Sequence, residues 1–209
     1  MSQPSADPSP PPRRPFWKNP FFLGFLVGIT LLTILPFLQR KSLRAPDPLA
    51  TLAPWELRTG AGGTVGSTAL SGKVWIASFC VCPCRQSLPL SEVAPHVAKH
   101  AEVIRLVTVV LPSAEGGTAE ELPVSGYPAW TVVTGPPAQL ESLAQGFLEG
   151  LSRQTGLPPP SGARALAQTP RFALVDQHGA VRGFWPEDEL GKGNVINAAV
   201  MLARYGPNP

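Results

Sequence analysis

Apolar and polar positions are grouped in blocks along the chain, and the spacing within each block predicts a strand or a helix. Apolar or β-branched runs that are typical of buried strands occupy residues 74–79, 103–111, 130–134 and 171–175. Apolar residues at helical spacing occur at 88–100, 139–153 and 195–205. A turn at 176–179 followed by residues 180–184 predicts a hairpin. This order predicts an α/β sandwich with helices on both faces of one sheet.

The first part of the chain has a different pattern. Residues 20–38 carry no charge, and a helix of that length rises about 28 Å, close to the ~30 Å hydrocarbon core of a bilayer. We therefore predict a transmembrane helix over 20–38, after a disordered proline-rich head at 1–19 and before a linker at 39–54; residues 55–209 would form the folded domain. A cleaved signal peptide is the alternative, but the apolar run is long for one and no small-residue cleavage site is clear.

Charge adds little to this picture. Basic residues flank the span on both sides, so the positive-inside rule does not orient it. A single N-terminal span with a short head most simply leaves the large domain outside the cytoplasm. We expect a single-pass protein of the inner (plasma) membrane, in contact with lipid through its anchor, with a periplasmic or extracytoplasmic domain. The net charge of +3 is small, which gives nucleic-acid binding little support.

The three cysteines of the chain, Cys80, Cys82 and Cys84, alternate directly after the predicted strand at 74–79. A thiolate is the nucleophile of disulfide chemistry and also a soft ligand suited to Cu(I). As a redox pair, Cys80 and Cys84 could close a disulfide across a helical turn. As a metal site, Cys82 and Cys84, or all three cysteines, could bind Cu(I). An inert bridge with a buried third thiol is the remaining alternative, although an odd number of cysteines in an exported domain favours metal binding or intermolecular exchange.

Four blocks in the same order resemble the thioredoxin fold and, more narrowly, the Sco/SenC family of membrane-tethered proteins. The blocks are residues 70–79, 103–108, 130–135 and 171–183, and the resemblance spans roughly residue 55 to the C-terminus. It implies a thioredoxin-like fold with a central mixed β-sheet flanked by helices. It also implies a periplasmic copper protein that helps to build the copper centre of cytochrome oxidase, or a related thiol reductase. The implied partner is a cytochrome c oxidase subunit or another copper or thiol protein.

The sequence departs from the pattern of that family at its copper ligands. The family holds copper with the two cysteines of a CxxxC motif and one distant histidine. Cys80 and Cys84 have the CxxxC spacing, but they reach the family position only with a gap after Phe79; without the gap, Cys84 takes the first cysteine position. Gln168 and Thr169 stand where the histidine would precede the strand at 171–175, and a glutamine amide is a poor copper ligand beside an imidazole.

Pro170, directly before the strand at 171–175, matches a second feature of the thioredoxin fold. Thioredoxins have a cis-proline before the equivalent strand, facing the active thiols, and Thr-Pro is common there. From local sequence alone a trans bond is expected at Pro170, because cis X–Pro bonds are a minority in folded proteins. If Pro170 is cis, as the resemblance implies, it lies against the cysteine loop and holds the backbone of a partner. Such a clamp favours thiol exchange over a copper site completed by histidine.

Three hypotheses follow from the sequence. The leading one is a Sco-like metallochaperone in which Cys80, Cys82 and Cys84 bind Cu(I). The second is a thiol–disulfide oxidoreductase in which Cys84 or Cys80 is the attacking thiol and Pro170 the partner clamp. The third is a degenerate family member that serves as a non-catalytic binding scaffold.

Overall fold

The computed structural model describes residues 20–39, 46–60, 62–81, 84, 88–112 and 126–206 of the chain. The chain divides into two compact units, Met1–Arg44 and Ala45–Pro209. The described part of the first unit is helix α1 (Pro20–Gln39), which covers the predicted span at 20–38. Within the described parts of the chain, no helix has both the length and the apolar character needed to cross a membrane. The membrane span stays a prediction.

The second unit is built on one mixed sheet. Its elements in chain order are β1 (Ala50–Thr51), β2 (Glu56–Thr59), β3 (Thr64–Gly66), α2 (Ser67–Leu70), β4 (Val74–Val81), α3 (Leu90–Val97), β5 (Ile104–Leu111), β6 (Trp130–Thr134), α4 (Pro137–Thr155), α5 (Ala163–Gln168), β7 (Arg171–Val175), β8 (Ala180–Pro186) and α6 (Glu189–Tyr205). The strand order in the described sheet is β1-β8-β7-β4-β5-β6-β2-β3. Strands β4, β5 and β6 run parallel, whereas β7 is antiparallel to β4 and to β8. The predicted α/β architecture, a mixed sheet flanked by helices, is confirmed.

Side chains of the central strands alternate between two apolar cores, as the period of a strand requires. In β4, Val74 and Ile76 join the core beneath α3 and α6, while Trp75, Ala77 and Phe79 join the core beneath α4 and α5. The central strand is buried on both faces, which explains why the sequence at 74–79 is continuously apolar rather than alternating.

Several element boundaries differ from the sequence prediction. Strand β4 continues to Val81, two residues beyond the predicted end, so Cys80 lies in the strand rather than after it. Strand β1 lies inside the linker predicted over 39–54, because Ala50 is buried and pairs with Val181. Helix α6 begins at Glu189 rather than at residue 195, since the carboxylate of Asp188 accepts a hydrogen bond from the backbone N–H of Gly191 and caps the helix.

Candidate functional site

A disulfide at the C-terminal end of the central strand is the chemical centre of the structure. It joins Cys80 to Cys84 across a Cα–Cα distance of 6.1 Å. Both half-buried cysteines pack against the buried side chains of Val110 and Val132 on the neighbouring parallel strands. Cys80 is held in place by the β4–β5 ladder, in which it is paired with Val110. Cys82, the third predicted thiol, lies outside the described residues.

The strand register brings Pro170 to the same end of the sheet. Strand β7 is antiparallel to β4, with Ala77 paired with Ala173. Continuing this register by three residues puts Pro170 opposite Cys80. Pro170 is exposed, and it lines the same open cleft of about 720 Å³ as Cys80. The structure thus brings together two of the predicted site residues, and it leaves the partner-clamp role of Pro170 as a prediction.

Six parts of the described chain meet around this cleft: the end of β4, the start of α3, helix α5, the start of β7, the segment between β8 and α6, and the start of α6. The charged side chains in its lining are Glu92, Arg164, Glu187, Asp188 and Lys192. A cleft at the carboxyl end of the parallel strands is the usual position for a site in an open α/β sheet.

Lys192 fixes one wall of the cleft. Its Nζ donates to Glu92 Oε2 at 3.0 Å and to Glu189 Oε1 at 2.5 Å. The hydrogen bonds to Glu189 and then to Glu92 raise the pKa of Lys192 above its ordinary value, so the ammonium stays charged. The bond to Glu92 links α6 to α3. The ammonium group of Lys192 is thus paired with two carboxylates, those of Glu92 and Glu189.

Glu187 is one of the cleft residues that the sequence analysis did not predict. Its Oε1 atom is buried and has no hydrogen-bond partner among the described residues. Burial raises the pKa of Glu187 from 4.5 to about 7, because desolvation disfavours the charged form. In the sequence Glu187 stands in an acidic run before a helix, where carboxylates are common because they favour helix N-termini. No local signal distinguishes it from Asp188, which does serve as the cap.

The described residues do not fit the three-ligand copper site that the sequence resemblance implies. They contain no group of three histidine, cysteine, aspartate or glutamate side chains that could hold a metal ion. Cys80 and Cys84 are joined as a disulfide, and the thiolate, not the disulfide sulfur, is the metal ligand. Gln168, where the sequence resemblance implies a histidine, is exposed and lines the cleft, but it offers an amide only.

The fold and the disulfide at the end of the central strand define a thioredoxin-like domain. No protein-family model matches the sequence, and no curated protein matches it significantly. Among solved structures, the chain is similar to BsSco, a member of the Sco family of cytochrome c oxidase assembly proteins, with 18% identity over 78% of this chain and 99% of that one and a TM-score of 0.54.

Two further structures show the same likeness. One is a SCO1/SenC family lipoprotein from Bacillus anthracis, with 19% identity over 75% of this chain and 98% of that one and a TM-score of 0.51. The other is ScoI from Arabidopsis thaliana with copper bound, with 16% identity over 75% of this chain and 100% of that one and a TM-score of 0.52. The chain therefore has the fold of these Sco-family proteins over about three-quarters of its length.

Proposed function

We propose that the chain is a divergent Sco-type protein whose folded domain carries out thiol–disulfide exchange through Cys80 and Cys84. The observation that carries this proposal is the Cys80–Cys84 disulfide, with Cys80 and Pro170 lining one open cleft. Such a pair at a strand end, accessible from a cleft, can accept two electrons from a dithiol and return them.

The cleft supports one order of events. Cys80 lines it, so a thiolate of a partner dithiol reaches Cys80 Sγ, forms a mixed disulfide and displaces Cys84 as a thiolate. The second thiolate of the partner then attacks the partner's own sulfur in the mixed disulfide and releases Cys80. The partner leaves as a disulfide, and the two cysteines of this chain become thiols after taking up two protons.

In this scheme Pro170 forms an exposed surface beside Cys80 that has no backbone N–H donor. Proline has no N–H group, and Pro170 is exposed beside Cys80. A partner segment in extended conformation can then lie across Pro170 with its cysteine over Cys80 Sγ. In the proposed scheme, Pro170 therefore has the partner-clamp role that the sequence resemblance implies.

Trapping the mixed disulfide tests this order. A full-length Cys84→Ser variant should form a stable mixed disulfide with a cysteine-containing peptide, mapped to Cys80 by mass spectrometry. The matched Cys80→Ser variant should accumulate far less adduct at Cys84, because Cys84 is not among the described residues that line the cleft. Equal trapping at both positions would contradict the assignment of Cys80 as the attacked sulfur, and the absence of any adduct would contradict exchange.

Copper handling is the second candidate, with Cu(I) as cargo. It is favoured by the three closely spaced cysteines and by the copper-bound state of the Arabidopsis protein with the same fold. After reduction, Cys82 and Cys84, with Cys80 as a third thiolate, would offer soft ligands without a histidine. Its partner would be a cytochrome c oxidase subunit or another copper protein.

An anaerobic Cu(I) titration of the reduced chain against a competing chelator separates the two candidates. One tightly bound equivalent that is lost in Cys84→Ser would establish copper handling. No binding would leave thiol exchange, or a binding scaffold whose cellular role survives replacement of all three cysteines by alanine.

The proposal places the domain outside the cytoplasm, tethered by residues 20–38. The absence of charge in this segment supports the tether. The full chain should remain in the membrane pellet after alkaline carbonate extraction, while a variant with Leu26 and Leu31 both replaced by Arg should be released. Release of the unaltered chain would contradict the tether.

A further inference from the structure

The two sides of the cleft that holds Cys80 carry different charges. On the side of α3 and the start of α6, the carboxylates of Glu92, Asp188 and Glu189 surround one ammonium group, that of Lys192. Three carboxylates and one ammonium leave two negative charges on this side, which we call the acidic wall. Helix α5, on the other face of the sheet, contributes the guanidinium of Arg164.

The negative charge of the acidic wall is exposed to solvent. The side chains of Glu92 and Glu189 are 61% and 84% exposed, whereas that of Lys192, which both of them bond, is only 15% exposed. Glu187 also lines the cleft, but burial raises its pKa to about 7, so it adds only part of a charge near neutral pH. A molecule that enters the cleft therefore meets carboxylates on this side.

Between the two sides the lining of the cleft is mostly apolar. This part, which we call the floor, consists of Phe79, Val81, Pro89, Pro170 and Phe172. A partner segment with its cysteine over Cys80 contacts the floor, and its flanking residues extend toward the acidic wall.

The strand order sets the separation between Cys80 and the acidic wall. Strand β7 lies between β4 and β8, and Pro186 at the end of β8 is paired with Arg171 at the start of β7. Two inter-strand spacings, roughly 10 Å, therefore separate the end of β4 from the end of β8, where the acidic wall begins. An extended segment advances about 3.3 Å per residue, so its third residue from the cysteine reaches this wall.

We propose that the acidic wall selects the exchange partner, whose segment carries a lysine or arginine about three residues from the cysteine that bonds to Cys80. This inference rests on the thiol exchange proposed above and adds the chemical class of its substrate. The basic side chain pairs with the exposed carboxylates of Glu92 and Glu189, and the apolar neighbours of the cysteine contact the floor. Complementary charge acts on partner choice and association rate, so the wall affects recognition without contacting the reacting sulfur atoms.

Two activated cysteine peptides provide the test. They share the same apolar residues, differ by lysine or glutamate about three positions from the cysteine, and are supplied as 2-pyridyl disulfides. Each reacts with a full-length Cys82→Ser/Cys84→Ser chain, in which Cys80 is the only cysteine. The Cys80 thiolate attacks the peptide sulfur and releases 2-thiopyridone, whose absorbance gives the rate. The ratio of the two rate constants is divided by the same ratio for 2-mercaptoethanol, which removes the intrinsic reactivity of the peptides.

This corrected ratio should favour the lysine peptide by at least about threefold at about 0.1 M ionic strength, as expected for one or two exposed charge pairs. Charges more than about 10 Å away are largely screened under these conditions, so the net charge of +3 of the whole chain contributes little. At about 1 M salt the ratio should approach one, because the screening length falls to about 3 Å.

Variants in the same background should move the ratio in opposite directions. Replacing both Glu92 and Glu189 by Gln leaves the acidic wall without net charge, so the ratio should fall to about one. Lys192→Gln raises the excess to three negative charges, so the ratio should increase. A purely structural role of this group of ion pairs would not give opposite responses. Glu102→Gln, which changes an exposed glutamate outside the cleft lining, should leave the ratio unchanged.

A ratio near one at about 0.1 M ionic strength, or an unchanged ratio after replacement of Glu92 and Glu189, would overturn the selection of a basic partner while leaving thiol exchange intact. Failure of both peptides to form an adduct with Cys80 would overturn the proposed function itself.

Discussion

The pKa of Glu187 makes a prediction about stability that does not depend on any thiol chemistry. Burial raises this pKa from 4.5 to about 7, so the folded state holds the proton more tightly than the unfolded state. A pKa shift of one unit corresponds to about 1.4 kcal/mol. The shift of Glu187 therefore limits the effect on the free energy of unfolding to about 3 kcal/mol. Solvent screening of the partly exposed side chain reduces the expected effect to about 1–2 kcal/mol.

The sign follows from linkage. A raised acid pKa stabilises the fold fully below about pH 4.5, and this contribution is lost as the pH rises through about 7. Glutamine does not titrate, so the free energy of unfolding of Glu187→Gln, relative to the unaltered protein, should increase by about 1–2 kcal/mol between pH 5 and pH 8.

Urea unfolding of the oxidised full-length chain at several pH values measures this difference. Glu102→Gln is the control, because Glu102 is also a glutamate but is exposed, and its difference from the unaltered protein should stay constant within about 0.5 kcal/mol. A pH-independent difference for Glu187→Gln would refute the inference that burial destabilises the charged form of this carboxyl.

Two packing predictions follow from the buried groups. Phe147 is fully buried, with its ring centroid 5.0 Å from that of Phe79, so Phe147→Ala should lower the free energy of unfolding by about 3–5 kcal/mol; a loss below about 1 kcal/mol in urea unfolding would contradict this packing. Asp176 is buried and accepts from Arg182 Nε at 2.7 Å and from two backbone N–H groups of its turn, so Asp176→Ala should cost about 3–5 kcal/mol. Glu149→Ala, which breaks an exposed ion pair, should cost less than about 1 kcal/mol by the same measurement, and equal losses for the two variants would be inconsistent with the burial of Asp176.

The central strands could be predicted from the sequence because the residue types in each segment indicate that it is a buried strand. The strands at 130–134 and 171–175 were predicted with the bounds that the structure shows, since β-branched and aromatic residues are enriched in strands. The pair Cys80 and Cys84 was predicted as a possible disulfide, and the structure joins these two residues. All three cysteines lie within residues 80–84, so the possible disulfide partners of each cysteine are few.

Features that depend on tertiary contacts were not predictable in the same way. Helix α5 has only Ala163 and Leu166 as buried residues, too few to form a periodic pattern. The early start of α6 was hidden by Gly191 and Gly193, which have low helix propensity.

The position of Glu187 could not be predicted for a related reason. Its place in the cleft results from the pairing of β8 with β7 and of β7 with β4. The β7–β4 pairing joins residues 96 to 100 positions apart, and no local pattern in the sequence encodes it.

A redox titration of the full-length chain at pH 7, with each cysteine mapped by alkylation and mass spectrometry, tests the central claim most directly. Thiol exchange predicts a reversible two-electron transition in which Cys80 and Cys84 become alkylated together, and which persists in a Cys82→Ser variant. A chain in which these two cysteines stay paired under strongly reducing conditions, or in which Cys82 replaces either of them in the disulfide, would contradict the account.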